Sequence, residues 1–507
     1  MTLAQLLPPN VLVASLILVG LGAYLRSKNA ERVPITNWVV MGMTSWAFTL
    51  GNLNFSDAPR WVRLVGFGSV FLSGPCISWI AQCPRTSNKH ATIGLLLQAT
   101  GCVAVALFTQ NLIVMTLAFA ALVGLLPKLV ALQCSTGTPE ANADSDRARW
   151  TCLASVICVG LASVILMAIT RSMTLSEIQA GLQASFRPEH ALAPASSGFA
   201  YWCGHAAVVL LFVGVSAMGL SAPAQFLGLD LCDAWPGVVA GWWLMLSRAM
   251  CLAVVWRVGV ATLVGLESAC VLTALAIGSL SLLIGAAGLW HRDALRSVVG
   301  RLLLIHGGLS WLAVAAMSAK PTGDATTISL GGLPVGVDLA ALLWAVSSVA
   351  LLVIFATEQA LTLGRERLEF VEEFAGLGRT RTLAAASLSA GLLSLTVIPP
   401  LPGFWCGAGL LGAAFLPGTP TFAHATLLPH PAVLWMSVLA LLALLVASGR
   451  VLGIVTRMTG DEPLGSVRLS LASWKPPCPD VLILFVALML AGVLLSVGCW
   501  PGLLSLI

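Results

Sequence analysis

Among the ionisable residues within the apolar segments of this chain, four are candidates for proton chemistry: His205, Arg248, Glu267 and His306. An ionisable side chain at bilayer depth is costly unless it faces a partner or a watery cavity, so each marks a candidate ion pathway. His306, followed by Gly307 and Gly308, is the best relay candidate, because a neutral imidazole exchanges protons near physiological pH. The plainer alternative is a histidine that only hydrogen-bonds to a neighbouring helix.

Arg248 ends the run Trp242-Trp-Leu-Met-Leu-Ser-Arg near the middle of an apolar segment. A guanidinium keeps its proton at any physiological pH, whereas a buried lysine can release it, so Arg248 can supply a fixed field but cannot hand on a proton. A buried ion pair is the structural alternative, and it predicts a charged partner. Glu358 and Lys128 lie near segment ends, where we expect their charged groups to reach the interface by snorkelling.

Two apolar segments contain helix breakers. One follows Ser394 and contains Pro399, Pro400 and Gly403, and the other runs from Pro223 to Pro236. Non-helical backbone at bilayer depth is tolerated only where it is buried in protein or lines a cavity. Paired breaks in two halves of a chain indicate an inverted-repeat transporter core, while proline kinks fixed by packing are the alternative.

The composition predicts an all-α polytopic membrane protein, since 58% of the 507 residues are hydrophobic and only 9% are charged. Apolar stretches long enough to cross a bilayer predict about fourteen helices with two inverted repeats. We place N-terminal helices at 9–109, a first repeat at 111–256, a second at 260–455 and a terminal helix at 480–498. The predicted spans are 9–25, 36–53, 63–82, 91–109, 111–133, 151–170, 200–219, 237–256, 260–288, 298–318, 335–361, 383–402 continuing brokenly to 416, 432–455 and 480–498.

The positive charges predict an orientation. With the amino terminus outside, seventeen of the 26 Lys and Arg residues fall in cytoplasmic loops and six, including Arg257, in outer loops, while Lys128, Arg248 and Arg450 lie within spans. Cytoplasmic loops are enriched in Lys and Arg. We therefore expect a multi-pass protein of the bacterial inner membrane with both termini outside. The first segment lacks a basic leader and an Ala-x-Ala site, which favours a retained helix.

Several kinds of site are disfavoured by the sequence. The thirteen cysteines include no Cys-x-x-Cys pair, and no Walker loop or dinucleotide fingerprint is found. Polar connections are too short for a soluble catalytic domain. We therefore expect no metal, no bound cofactor and no nucleic-acid partner for this chain.

Several motifs together carry a resemblance to a known family. They are the stretch Ser394 to Trp405, its lead-in Phe374-Ala-Gly-Leu-Gly-Arg, the loop Glu140 to Arg149, and Pro223, Asp230, Pro236, Ser247 and Arg257. Over nearly its whole length the chain resembles the antiporter-like membrane subunits of respiratory complex I, most closely subunit N of NADH-quinone oxidoreductase. The resemblance implies a subunit embedded between other membrane subunits of a complex that uses NADH and quinone and translocates protons.

The proton relay that this resemblance implies is largely missing. The family's glutamate in the fifth helix falls near Ala120, and its lysines in the seventh, eighth and twelfth helices become Met218, Arg248 and Gly407. A fixed cation and His306 remain. The sequence leaves open a divergent subunit of a pumping complex and a structural subunit without a channel. A subunit M-like protein and a stand-alone cation/proton antiporter subunit are further alternatives.

Overall fold

The computed structural model describes residues 60–82, 88–133, 139–186, 196–291, 293–318, 337–362, 370–399, 401–415, 430–460 and 490–492. The predicted spans 9–25 and 36–53, most of 480–498, and Pro400 lie outside these residues. Within the described ranges the chain forms helices, turns and two isolated bridges, with no β-strand. The predicted all-α class is confirmed.

The described helices are α1 (Arg60–Phe71), α2 (Ser73–Gln82), α3 (Lys89–Phe108), α4 (Leu112–Gln133), α5 (Pro139–Thr170), α6 (Leu175–Phe186), α7 (Ser196–Ser216), α8 (Gln225–Ala234), α9 (Gly237–Val254), α10 (Glu267–Leu289), α11 (Leu295–Ser318), α12 (Val337–Thr362), α13 (Leu377–Thr380), α14 (Thr382–Ser394), α15 (Pro402–Phe415) and α16 (His430–Gly460). Nine helical segments in the described part are long and apolar enough to cross a membrane. The polytopic membrane architecture is therefore confirmed. α1 and α2, separated by Leu72, occupy the predicted span 63–82.

Two predicted boundaries were wrong. The eighth predicted span continues past α9 as a π-helical turn, Val255–Val260, and the ninth begins only at Glu267. Arg257, expected in an outer loop, lies in this π turn, where its Nη1 donates a hydrogen bond of 2.6 Å to the carbonyl of Leu107 in α3. The apolar sequence runs on through this region, so hydropathy alone did not locate the end of the helix.

The first predicted break separates α7 from α8. The chain leaves the helix after Ser216, and Leu220 adopts a positive φ of 53°, a conformation that a branched side chain rarely takes. The backbone N–H of Ala222, next to Pro223, donates to Ser281 Oγ of α10 at 2.9 Å. A neighbouring helix thus pairs an amide that the break has freed, while Pro236 separates α8 from α9.

The second predicted break separates α14, which ends at Ser394, from α15. Pro399 lies in the break. Pro402 is the first residue of α15, and proline fits this position because the N–H that it lacks would have no partner within the helix. A Cβ at Gly403 would collide with the carbonyl oxygens of Ser394 and Thr396. Glycine at this position therefore lets α15 pack directly on the freed backbone.

One turn of α11 contacts both breaks. His306 Nε2 donates to the carbonyl of Leu395 in the second break at 3.0 Å. A Cβ at Gly307 would lie 2.9 Å from the carbonyl oxygen of Leu220 and 2.9 Å from Ser221 Oγ in the first break. The His-Gly pair thus supplies a donor on one side and close backbone approach on the other.

Two antiparallel bridges occupy equivalent places in the predicted repeats. Asn111, between α3 and α4, pairs with Thr174 after α5, and Ala294, between α10 and α11, pairs with Phe370 after α12. In each case a residue just before a pair of consecutive helices, α4 and α5 or α11 and α12, is bridged to a residue just after that pair. This correspondence supports the internal repeat, whose boundaries remain a prediction.

A buried ion pair joins α11 to α12. Arg296 Nε lies 2.8 and 3.0 Å from the two carboxylate oxygens of Glu358, and Arg296 Nη1 donates to the carbonyl of Trp235 between α8 and α9. The Glu358 side chain is 2% exposed, so the expected snorkelling was wrong. The position of Glu358 near the end of an apolar segment indicated its depth in the membrane, but it could not show that α11 covers the side chain.

We predict that Glu358→Gln lowers the free energy of unfolding by about 3 kcal/mol, because it leaves the Arg296 charge buried without its counter-charge. The measurement is thermal unfolding of the solubilised protein. Asp146→Asn is the control: Asp146 pairs with Arg149 on the surface at 3.3 Å, and exposed pairs contribute less than about 1 kcal/mol. Equal shifts in both variants would contradict a special role for the Arg296–Glu358 pair.

We predict that Gly307→Ala destabilises the protein by about 1–3 kcal/mol, since the new methyl group forces the first break away from α11. Gly449→Ala in α16 is the matched control, because a Cβ there meets nothing within 4 Å. That control should be neutral or slightly stabilising, as alanine favours helix over glycine. Thermal unfolding of the two variants side by side tests the contact, and a neutral Gly307→Ala would argue against it.

Candidate functional site

Arg248 lies in the most enclosed helix of the described structure. Its side chain is 6% exposed, and its Nη1 donates to Ser347 Oγ of α12 at 2.8 Å. Ser347 in turn donates to the carbonyl of Trp344 at 3.0 Å. Among the described residues no carboxylate forms an ion pair with Arg248. The predicted charged partner is therefore absent from the described part of the chain, and a neutral serine stands beside the cation.

A small cavity of about 30 Å³ lies against Arg248. It is bounded by the first break, by α9 and its π turn, by α11 and by Trp344 of α12. Its lining contains the polar side chains of Ser221, Arg248, Cys251 and Ser310 and the indole side chains of Trp256, Trp311 and Trp344, and the remaining residues are apolar or glycine. Arg248 is the one ionisable group of clear charge among the residues that line it. The cavity is therefore an electropositive pocket between the first break, α9, α11 and α12.

His306 is 2% exposed and serves the second break. Its Nε2–H is committed to the carbonyl of Leu395, and its Nδ1 has no hydrogen-bond partner among the described residues. The next residue, Gly307, lines the cavity beside Arg248. The structure thus brings the two main candidates from the sequence, Arg248 and His306, to the same region.

The structure gives His205 and Glu267 local partners. His205 is partly exposed in α7, where its Nδ1 donates to the carbonyl of Tyr201 at 2.9 Å and its ring stacks 4.0 Å from the Tyr201 ring. Glu267 is the first residue of α10, and its carboxylate accepts the N–H of Gly265 at 2.9 Å. Neither residue lines the cavity at Arg248.

The three positions where the resemblance implies relay groups are closely packed or apolar. Met218 is 3% exposed in the first break. Gly407 is buried in α15, where a Cβ would lie 3.1 Å from a methyl group of Val397, which leaves little room for a long side chain. Ala120 is half-buried in α4. None of these three supplies a group that could hold or pass a proton.

The sequence missed two contacts, one beside the cavity and one in the first turn of α11. Ser347, which bonds to Arg248, is one serine among many apolar residues of α12, and nothing in its spacing singles it out. The Arg296–Glu358 pair joins residues 62 positions apart. A buried glutamate in an apolar segment was a visible signal, but its partner was not. Within the described residues no group of three or more His, Cys, Asp or Glu could hold a metal ion.

Comparisons with known proteins agree with this architecture. No family model matches the chain. Subunit N 2 of NADH-quinone oxidoreductase from Acidobacterium capsulatum is 28% identical over 308 residues, which is 59% of this chain and 55% of that relative. The match therefore spans about half the length of that curated relative.

Solved structures match over the whole fold. A chain of respiratory complex I from Thermus thermophilus, with bound aureothin, superposes with a TM-score of 0.67 at 17% identity over 98% of this chain and 97% of that chain. A chain of the Mrp complex from Dietzia sp. DQ12-45-1b gives a TM-score of 0.69 at 14% identity, over 100% and 96%. At such identities the likeness concerns the fold. The chain therefore shares the fold of these membrane-complex chains, and over 308 residues its sequence is similar to that of a subunit N of NADH-quinone oxidoreductase.

Proposed function

We propose that this chain is a subunit N-like membrane subunit of an NADH-quinone oxidoreductase or a related energy-converting complex. The name of the relative in Acidobacterium capsulatum and the multi-subunit complexes that share the fold support this proposal. Its partners are other membrane subunits and the lipid bilayer. NADH and quinone are used by the complex, and this chain binds neither. The charge asymmetry supports a place in the bacterial inner membrane with both termini outside.

We further propose that this subunit conducts no protons along its own axis. The observation that carries this proposal is the buried guanidinium of Arg248, whose one hydrogen bond goes to a neutral serine. A guanidinium keeps its proton at physiological pH, so Arg248 cannot take up and release a proton as a buried lysine can. Met218 and Gly407 interrupt the path further. The subunit then fills a position between conducting neighbours and maintains their spacing.

A conducting subunit is the second candidate, and one observation favours it. His306 Nδ1 is buried without a partner among the described residues, close to the cavity beside Arg248. Waters in that cavity together with an imidazole would form a short relay. The Nε2 bond to Leu395 argues against this role, because it holds the ring in one tautomer and one orientation. A subunit M-like or stand-alone antiporter role has less support, since the sequence match is to subunit N.

We predict that an affinity-tagged version of this chain purifies from mildly solubilised membranes within a larger complex. The expectation rests on its composition: with 9% charged residues, large helix faces remain apolar and subunit contacts bury them. Native mass analysis of the tagged sample identifies the accompanying subunits. An isolated chain that exchanges ions by itself in liposomes would contradict the proposed subunit role.

We predict that His306→Gln leaves the ratio of protons pumped to electrons transferred unchanged. Glutamine can still donate an N–H to Leu395 but cannot take up and release a proton near neutral pH, so it separates the structural role from a relay role. The ratio is measured in vesicles that contain the assembled complex. His205→Gln, at a partly exposed histidine of α7, is the control. A fall of the ratio in His306→Gln alone, with assembly intact, would establish the conducting alternative.

A further inference from the structure

We propose that the cavity beside Arg248 binds a small monovalent inorganic anion of halide size, such as chloride. The first support is the charge. Arg248 is 6% exposed and has no carboxylate partner among the described residues. Burying a cation without a counter-charge costs several kcal/mol, and natural proteins compensate for it with a partner or a bound ion. The cavity provides the place for such an ion.

The second support is the set of hydrogen-bond donors around the cavity. A guanidinium carries five N–H donors. Among the described residues Arg248 uses one of them, in its hydrogen bond to Ser347 Oγ. Trp256, 2% exposed, lines the same cavity, and its Nε1–H has no partner among the described residues. An indole N–H can only donate. Two buried residues whose polar groups can only donate hydrogen bonds, Arg248 and Trp256, therefore line the same small cavity.

Ser221 supplies a third donor. Its hydroxyl makes one long hydrogen bond of 3.4 Å, to the carbonyl of Gly219, and can turn toward the cavity at little cost. Ser310 also lines the cavity, but its hydroxyl donates a hydrogen bond of 3.0 Å to the carbonyl oxygen of His306. The two serines can therefore be compared in an experiment, because the Ser221 hydroxyl makes only a weak hydrogen bond and that of Ser310 makes a good one.

The size of the cavity suits a single small ion. Its volume of about 30 Å³ is roughly twice the 10–15 Å³ that one water needs. Leu252, Val255 and Val314 bound the space with aliphatic side chains, which an anion with several oxygens would have to contact. A cation is excluded by the charge of Arg248. Among the lining residues no Asp, Glu or Lys competes for the anion.

The test is thermal unfolding of the full chain, solubilised within its complex, while sodium chloride replaces sodium gluconate at constant ionic strength. A ligand that binds only the folded state raises its stability in a saturable way. We expect saturable stabilisation of the unmodified protein by chloride and by bromide. Ser221→Ala and Trp256→Phe should each weaken the apparent affinity for chloride roughly tenfold, which is the effect of losing one hydrogen bond to an ion.

Ser310→Ala is the matched control, and its affinity for chloride should stay within about twofold of the unmodified protein. Arg248→Gln should abolish the stabilisation by chloride. If that variant fails to fold, the comparison of Ser221→Ala with Ser310→Ala tests the proposal. Diffraction at the bromine absorption edge from crystals soaked in bromide should place an anomalous peak between Arg248 and Trp256. The proposal is overturned by stability that is independent of chloride, by equal loss in Ser221→Ala and Ser310→Ala, or by a cavity that holds water alone.

Discussion

The pairing of backbone groups freed at the two helix breaks is the constraint on which the rest of this structure depends. In a bilayer an unpaired amide or carbonyl costs several kcal/mol, so each break persists only where protein covers it. Ser281 of α10 accepts the N–H of Ala222, and His306 of α11 donates to the carbonyl of Leu395. α11 must therefore pass between the breaks, and Gly307 permits the approach.

The same crossing places α11 beside a cation that has no matching carboxylate in the described structure. Arg248 faces the first break across a small cavity, while Arg296 in the first turn of α11 is paired with Glu358. The two arginines illustrate two solutions to charge burial. The paired one ties α11 to α12 and to the end of α8, whereas the unpaired one leaves a local positive potential. A proposed bound anion would complete the second site as Glu358 completes the first.

On the proposed function, this chain keeps the fold of a membrane subunit of an energy-converting complex without the groups that proton transfer needs. Two helices are broken, but the central His306 acts as a hydrogen-bond donor to the second break, and Arg248 stands where the resemblance to subunit N implies a lysine. A guanidinium and an ammonium differ in this setting because the first keeps its proton. A subunit can thus preserve its shape, and with it contacts to neighbours, after its own relay is lost.

The sequence alone determined the all-α membrane class, the approximate helix bounds and both breaks, because hydropathy and proline act locally along the chain. It also singled out Arg248 and His306, since an ionisable residue stands out in an apolar run. Only the tertiary structure decided their partners: a serine 99 positions away for Arg248 and a break carbonyl 89 positions away for His306. Depth is readable from local composition, whereas the partner of a buried charge depends on which helices pack together. For that reason Glu358 was expected at the interface and is instead buried against Arg296.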